Sequence, residues 1–279
     1  MTTTRFATHS LLSRRTAMTR LLAGGLLLGT SAWLAAPPAS AQTVNSGQLA
    51  QVSPTARLAG KAPPSMKLDY ALKGRVSRIG YSANATLDWR LSGNSYTLDF
   101  TARAPLVSRT QSSSGTVGAN GLRPSRFTDK WRGKTNSASF QRSGSQGSIS
   151  YSNGNSAAAL LPGAQDQISV FIQLMALMDA NPGKYGTGQI FAFQASDHRR
   201  APVWRFRVQG KETIEAAGQS FEAWRVRRVL EDGEDKLVEI WLSPWKAANG
   251  STYHLPVRLR ISEGPNDYAE QTLKALPKL

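Results

Sequence analysis

The sequence predicts a mainly β protein: a single domain of strongly curved antiparallel sheet, open and barrel-like, wrapped around one apolar helix at about 166–180. Three observations lead there. Apolar and polar residues alternate with period two over much of the chain, which marks half-buried antiparallel strands. One segment alone changes to helical spacing, and it is apolar over most of its surface, so it must be covered on most sides. The chain has no cysteine, and 279 residues less a 41-residue leader leave 238, enough for a real core without disulfides.

The leader is residues 1–41. Arg5, Arg14, Arg15 and Arg20 give a positive start without any acidic residue, an apolar run covers 21–34, and Ala39-Ser40-Ala41 is a small-x-small cleavage site before Gln42. This reads as a signal peptide cleaved after Ala41, with the rest of the chain delivered to the periplasm or another extracytoplasmic space. The run is shorter than the about 20 apolar residues a membrane span needs, and it ends in Pro37-Pro38, so the expectation is not an integral membrane protein. Arg14-Arg15 resembles a twin-arginine address, but Ala17 stands where a bulky residue is usual, and the general secretory route stays open. Residues 42–64 are small and polar with Pro54, Pro63 and Pro64, a flexible leader; the antiparallel β domain with its core helix is placed at 65–279.

Within the domain, Met66, Leu68, Tyr70 and Leu72 share one face. Tyr81, Ala83, Ala85, Leu87, Trp89 and Leu91 repeat the pattern, and after the Ser92-Gly93-Asn94 turn so do Tyr96, Leu98, Phe100 and Ala102. Further strands are expected around 126–131, 138–142 and 148–152. Ile168, Phe171, Ile172, Met175 and Met178 then follow helical spacing, with Asp166 as N-cap, Asn181-Pro182-Gly183 as a stop, and Ser169 and Gln173 as a narrow polar stripe. Strands return at 190–194, 204–208, 211–216 paired with 221–229, 238–242, 255–261 and 268–273.

The leader carries four of the 34 Lys+Arg and none of the 18 Asp+Glu, so the remainder keeps a balance of +12. Such a charge attracts anions, which in an envelope are lipid headgroups, lipopolysaccharide and acidic glycans; an exported chain seldom meets nucleic acid. The catalytic search is negative. Asp69, Asp88 and Asp99 project from the face opposite the apolar side chains, His198 lies in a polar loop and His254 on a polar strand face. No metal-ligand spacing, nucleophile elbow or phosphate-binding glycine loop appears, and no cofactor is implied. The reading is a non-enzyme.

Two patterns suggest binding. Arg205, Arg207, Arg225, Arg227, Arg258 and Arg260 occupy the polar faces of three strands: either a surface paired with Glu222, Glu239 or Glu270, or an array that holds an anion. Tyr70, Trp89, Phe100 and Trp204 supply aromatic faces, with Met175 and Met178 as adaptable fillers. The order of Arg126-Phe127-Thr128-Asp129, Leu161-Pro162-Gly163-Ala164-Gln165-Asp166, Val203-Trp204-Arg205-Phe206-Arg207-Val208 and Leu255-Pro256-Val257-Arg258-Leu259-Arg260 resembles the exported bacterial family called domain of unknown function 3108, from about residue 65 to 273. The resemblance implies a periplasmic antiparallel β protein and transfers no activity. The leading expectation is a non-enzymatic envelope protein holding a lipid-like or anionic apolar ligand in the concave sheet. The site would use Tyr70, Trp89, Phe100, Trp204, Met175 and Met178, with Arg205, Arg207 and Arg258 at the rim. The alternatives are a protein-interaction or assembly factor and, third, a glycan or lipid hydrolase.

Overall fold

The computed structural model describes residues 62–277 apart from 144–145, 181–182, 184 and 248–249. The expected signal peptide, its expected cleavage site and most of the expected 42–64 leader lie outside the described residues, as do Asn181 and Pro182. Among the described residues fifteen strands form one sheet in the order β8-β7-β6-β5-β4-β3-β2-β1-β15-β14-β13-β12-β11-β10-β9. Two meanders make it. The first runs β1 (Met66–Val76), β2 (Ile79–Ser92), β3 (Ser95–Ala104), β4 (Val107–Gly118), β5 (Gly121–Trp131), β6 (Lys134–Ser143), β7 (Gln146–Tyr151) and β8 (Ala158–Ala159). The second runs β10 (Ile190–Ser196), β11 (Val203–Ala216), β12 (Gln219–Val229), β13 (Lys236–Lys246), β14 (Thr252–Glu263) and β15 (Asp267–Leu273), and β15 pairs with β1 to join them. Between the meanders lie the short β9 (Gln165–Asp166), parallel to β10, and helix α1 (Ser169–Ala180).

In a meander successive turns alternate between the two ends of the sheet. The β1–β2, β3–β4 and β5–β6 turns therefore share one rim, and the β2–β3 and β4–β5 turns share the other. Ser77-Arg78, Arg132-Gly133 and Ala217-Gly218 hold positive φ at both central positions, the twist that suits two-residue hairpins. The β3–β4 turn is different: Pro105 precedes Leu106 at φ 68°, a position that normally calls for glycine or asparagine.

The alternation seen in the sequence sets the faces. Leu68, Tyr70, Trp89, Leu98, Phe206, Val226, Ile240 and Leu259 point inward and are buried. Helix α1 packs inside against β14, β5 and β9. The helix starts three residues after Asp166, whose Oδ1 accepts the N–H groups of Ile168 (3.0 Å) and Ser169 (2.8 Å), while Ser169 Oγ accepts the Asp166 N–H at 2.9 Å. Asp166 is thus the cap the sequence called for. The polar stripe is not solvated, however. Ser169 and Gln173 are both fully buried, and Gln173 Oε1 accepts the Leu122 N–H of β5 at 2.8 Å. The expected segments at 204–208 and 211–216 are one strand, continuous across a bulge between Val208 and Gly210. β4 was not expected at all.

The sheet remains open, yet its ends approach. Gln194 of β10 reaches across: its Oε1 accepts the Leu161 N–H and its Nε2 donates to Ala159 O of β8, both at 2.8 Å. This side chain does part of the bridging that a backbone ladder performs in a closed barrel.

Candidate functional site

The inner face has two chemistries. On β1–β3 and β11–β15 it is chiefly apolar. On β4 the inward residues are Arg109, Gln111 and Ser113, all buried, with Asp129 beside them on β5. Arg109 donates from both Nε (2.8 Å) and Nη2 to the two Asp129 oxygens. His198, from the β10–β11 loop, places Nδ1 3.5 Å from Asp129 Oδ2. Burial lowers the pKa of His198, more than the nearby Asp197 and Asp129 carboxylates raise it, so the ring favours its neutral form. A second knot sits at the head of α1. Ser113 Oγ donates to Asp166 Oδ2, Tyr96 OH meets Ser113 Oγ at 3.0 Å, and Gln165 Nε2 donates to Leu122 O at 2.8 Å. Burial pushes the Asp166 carboxyl up to about 6, although its hydrogen bonds from Ser113, Ser169 and Ile168 pull the other way.

A separate feature lies at the rim of the β2–β3 and β4–β5 turns. A cleft of about 510 Å³ lies there, lined by Ser95, Tyr96, Ser114, Gly115, Thr116, Arg123, Ser125 and Arg142. Two guanidinium groups and four aliphatic hydroxyls line it, and among the described residues no carboxylate does. Arg142 is partly anchored, donating from Nη1 to Pro124 O at 2.5 Å. Its pKa is lowered, first by burial and then by the charge of Arg123. Gly115 makes the cleft possible: a Cβ there would lie 2.2 Å from Arg123 O, so no larger residue lets β4 and β5 approach so closely.

The arginines picked out from the sequence behave otherwise. They line the convex face in cross-strand rows in which Arg207, Arg227, Glu239, Arg260 and Glu270 are successive partners. Arg225 donates to Glu239 Oε1 from Nε (2.9 Å) and Nη2, and to Glu212 Oε1 at 2.9 Å. Glu212 in turn accepts the Trp241 indole N–H at 2.8 Å, a bond that is the largest cause of its lowered pKa. Arg225 and Arg258 stack near that indole at 5.5 and 5.7 Å. Arg258 and Arg260 share Glu270 at 3.9 and 3.3 Å, and Arg205 pairs with Glu231 at 3.1 Å. Arg207 is exposed and lies directly opposite Arg227. Cross-strand pairing with glutamate, one of the two expected readings, describes most of this face.

The structure therefore does not gather the nine sequence-nominated residues into one site. Tyr70, Trp89, Phe100, Trp204, Met175 and Met178 are side chains of the packed core, each at most 5 % exposed. Tyr70 OH donates to Pro256 O and Trp89 Nε1 to Pro63 O, both at 2.9 Å, so the polar tips of these rings are already used. Trp204 carries Arg228 over its face at 4.9 Å. Between α1 and the sheet, Leu87, Leu98, Phe100, Ile168, Phe171, Leu259 and Gln271 enclose a void of about 10 Å³, about the size that holds one water. Arg205, Arg207 and Arg258 stand on the other side of the sheet from these rings. Arg123 lies outside every expected strand, and Arg142 ends the one expected at 138–142, so sequence alone does not bring the two together. The available signal was the run from 100 to 128, which holds four arginines and no acidic residue.

Both histidines of the domain face carboxylates. His254 Nδ1 is 2.7 Å from Asp179 Oδ1, which also accepts the His254 N–H. Among the described residues no group of three or more His, Asp or Glu side chains is placed to hold a metal ion, and no helix is long and apolar enough to cross a membrane.

Fold and faces together define, over the described residues, a mainly antiparallel, barrel-like β protein with one internal helix. A family described as "Protein of unknown function (DUF3108)" matches residues 69–274, and the chain belongs to that family. No curated protein matches it. Among solved structures, the chain is similar to a β-barrel-like protein of domain of unknown function DUF1849 from Brucella abortus. The two share 14% identity, with a TM-score of 0.51 over 77% of this chain and 97% of that one, a likeness of fold.

Proposed function

We propose that this is an exported, non-enzymatic binding protein of the cell envelope that holds the anionic group of an envelope molecule, a phosphoryl or carboxylate on a saccharide or lipid head, in the rim cleft. One observation carries the reading: Arg123 and Arg142 share a hydroxyl-lined cleft with no carboxylate, while the convex-face arginines largely have glutamate partners. Two like charges held near each other favour an anion between them. The hydroxyls of Ser95, Ser114, Thr116 and Ser125 suit the remaining oxygens of such a group or the hydroxyls of a sugar. The cleft volume falls in the range of small-molecule sites. The packed hollow favours an anion at the rim over an apolar tail inside.

The test is a titration of the mature protein with glucose 6-phosphate and with glucose, read on the arginine Nε–Hε resonances. Shifts confined to two arginines, present for the phosphate only and lost in Arg123→Gln with Arg142→Gln, support the reading. Shifts retained in that double variant, or lost instead in Arg205→Gln with Arg207→Gln, move the site to the convex face and overturn it. Export is tested separately by intact mass of the periplasmic protein, which should begin at Gln42.

A further inference from the structure

The rim opposite the cleft carries an apolar tip that folding does not explain. Leu106 in the β3–β4 turn is 98 % exposed, by far the most exposed large apolar side chain among the described residues. It also sits at φ 68°, a conformation that disfavours any residue with a Cβ and suits a branched side chain poorly. A residue that buries nothing and strains its own turn contributes to neither the core nor the hairpin. Its neighbours in the turn are Pro105, also exposed, and Val107, half-buried. The next turn on the same rim, β5–β6, presents Trp131 with Arg132 stacked at 5.6 Å from its ring.

Every charged residue within and immediately flanking these two turns is basic. Arg103, Lys130, Arg132 and Lys134 are exposed beside the two turns, and the sequence holds no Asp or Glu from 100 to 128 or from 130 to 165. The acid nearest in sequence to Lys130, Arg132 and Lys134 is Asp129, buried against Arg109, and the one nearest to Arg103 is Asp99, four residues back on β3. A small protruding apolar tip in a basic collar is poorly shaped for a protein interface, whose buried centre needs hundreds of square ångströms. It matches a bilayer surface. There leucine reaches the acyl boundary, an indole sits at headgroup level, and lysine and arginine meet anionic phosphates. We infer that the β3–β4 and β5–β6 turns dock this protein on an anionic phospholipid membrane through Leu106 and Trp131. The inference is independent of the anion cleft, which lies at the other rim.

The chain has no cysteine, so a single introduced one can be labelled cleanly. Mature Leu106→Cys and Asn94→Cys, the latter in the β2–β3 turn of the opposite rim, would each carry a polarity-sensitive dye. They would be mixed with vesicles of phosphatidylethanolamine and phosphatidylglycerol, or of phosphatidylcholine alone. The expected result is a severalfold rise in emission at position 106 with the anionic vesicles and none at 94. Leu106→Asp should lower vesicle partitioning roughly tenfold or more, the ratio for losing one buried leucine, and its unaltered melting temperature would show that folding is intact. No rise at 106, an equal rise at 94, or full binding by Leu106→Asp would overturn the inference.

Discussion

β2 and β4 are both long strands of one antiparallel meander, separated by a single neighbour, and only one of them shows in the sequence. Each places alternate side chains inside the barrel. β2 sends Ala85, Leu87 and Trp89 inward; β4 sends Arg109, Gln111 and Ser113. Backbone geometry is the same, and so is the hydrogen-bonded ladder. What differs is the partner inside. β2 faces the apolar side of the core, whereas β4 faces Asp129, His198 and the Asp166 cap. Periodicity in sequence reports an apolar interior rather than a strand, and it falls silent where the interior is polar. The same silent strand lines the arginine cleft, through Ser114, Gly115 and Thr116.

The sharpest way to break the comparison is to remove one partner from each half. Asp129→Ala leaves Arg109 charged and enclosed, and should cost about 3–5 kcal/mol. Phe171→Ala, under the apolar half, should cost about 3–5 kcal/mol by transfer and cavity terms. The two losses look alike in a urea melt and differ in rescue. Arg109→Met combined with Asp129→Leu should restore most of the stability lost by Asp129→Ala, because removing both charges removes the desolvation cost. If the double variant is as unstable as the single one, the ion pair is not what holds β4 and β5 together.

A second test uses pH. Asp166 titrates in the folded protein at about 6, above its unfolded value. A carboxyl with a raised folded pKa binds its proton more tightly when folded. Its contribution to stability is therefore fully present below the unfolded pKa, about 4, and is lost as pH rises through about 6. Asp166→Asn keeps a good helix cap and cannot ionise. The variant should gain on the wild type as pH rises from about 4 to about 6, by roughly 1.4 kcal/mol per pH unit, with no further change above. Denaturant melts at several pH values measure the difference. A flat difference would mean that the buried cap does not titrate in this window.

Legibility follows the same division. The resemblance, the alternating strands and the capping aspartate could all be read from sequence, because each depends on local spacing. The helix stripe of Ser169 and Gln173 was visible too, but its meaning was not. A 3.6-residue period shows that two polar residues share a face, and only the tertiary structure shows whether that face meets water or the Leu122 backbone. The arginine rows were legible as a face and their glutamate partners as an option. The cleft was not legible, since Arg123 and Arg142 lie 19 positions apart and meet only because β5 and β6 pair and β4 approaches β5 at Gly115. Gln173→Ala sharpens the point. It strands the Leu122 N–H and should cost about 1–3 kcal/mol, where a solvated stripe would cost almost nothing.

The smallest effect separates the two arginine sets. Arg260 is over a third exposed and shares Glu270 with Arg258, so Arg260→Gln removes a surface pair and should cost no more than about 1 kcal/mol. Arg123 is also exposed, but its charged neighbour is Arg142, and the cleft offers no carboxylate. Arg123→Gln relieves a repulsion instead of breaking an attraction. Its effect should therefore be slight and of the opposite sign, a small rise in melting temperature at low salt that vanishes as salt screens the charges. A side chain whose removal steadies the protein is not kept in place by folding. If Arg123→Gln lowers the melting temperature as Arg260→Gln does, the cleft arginine has a structural partner, and the contrast between a paired convex face and an unpaired rim fails.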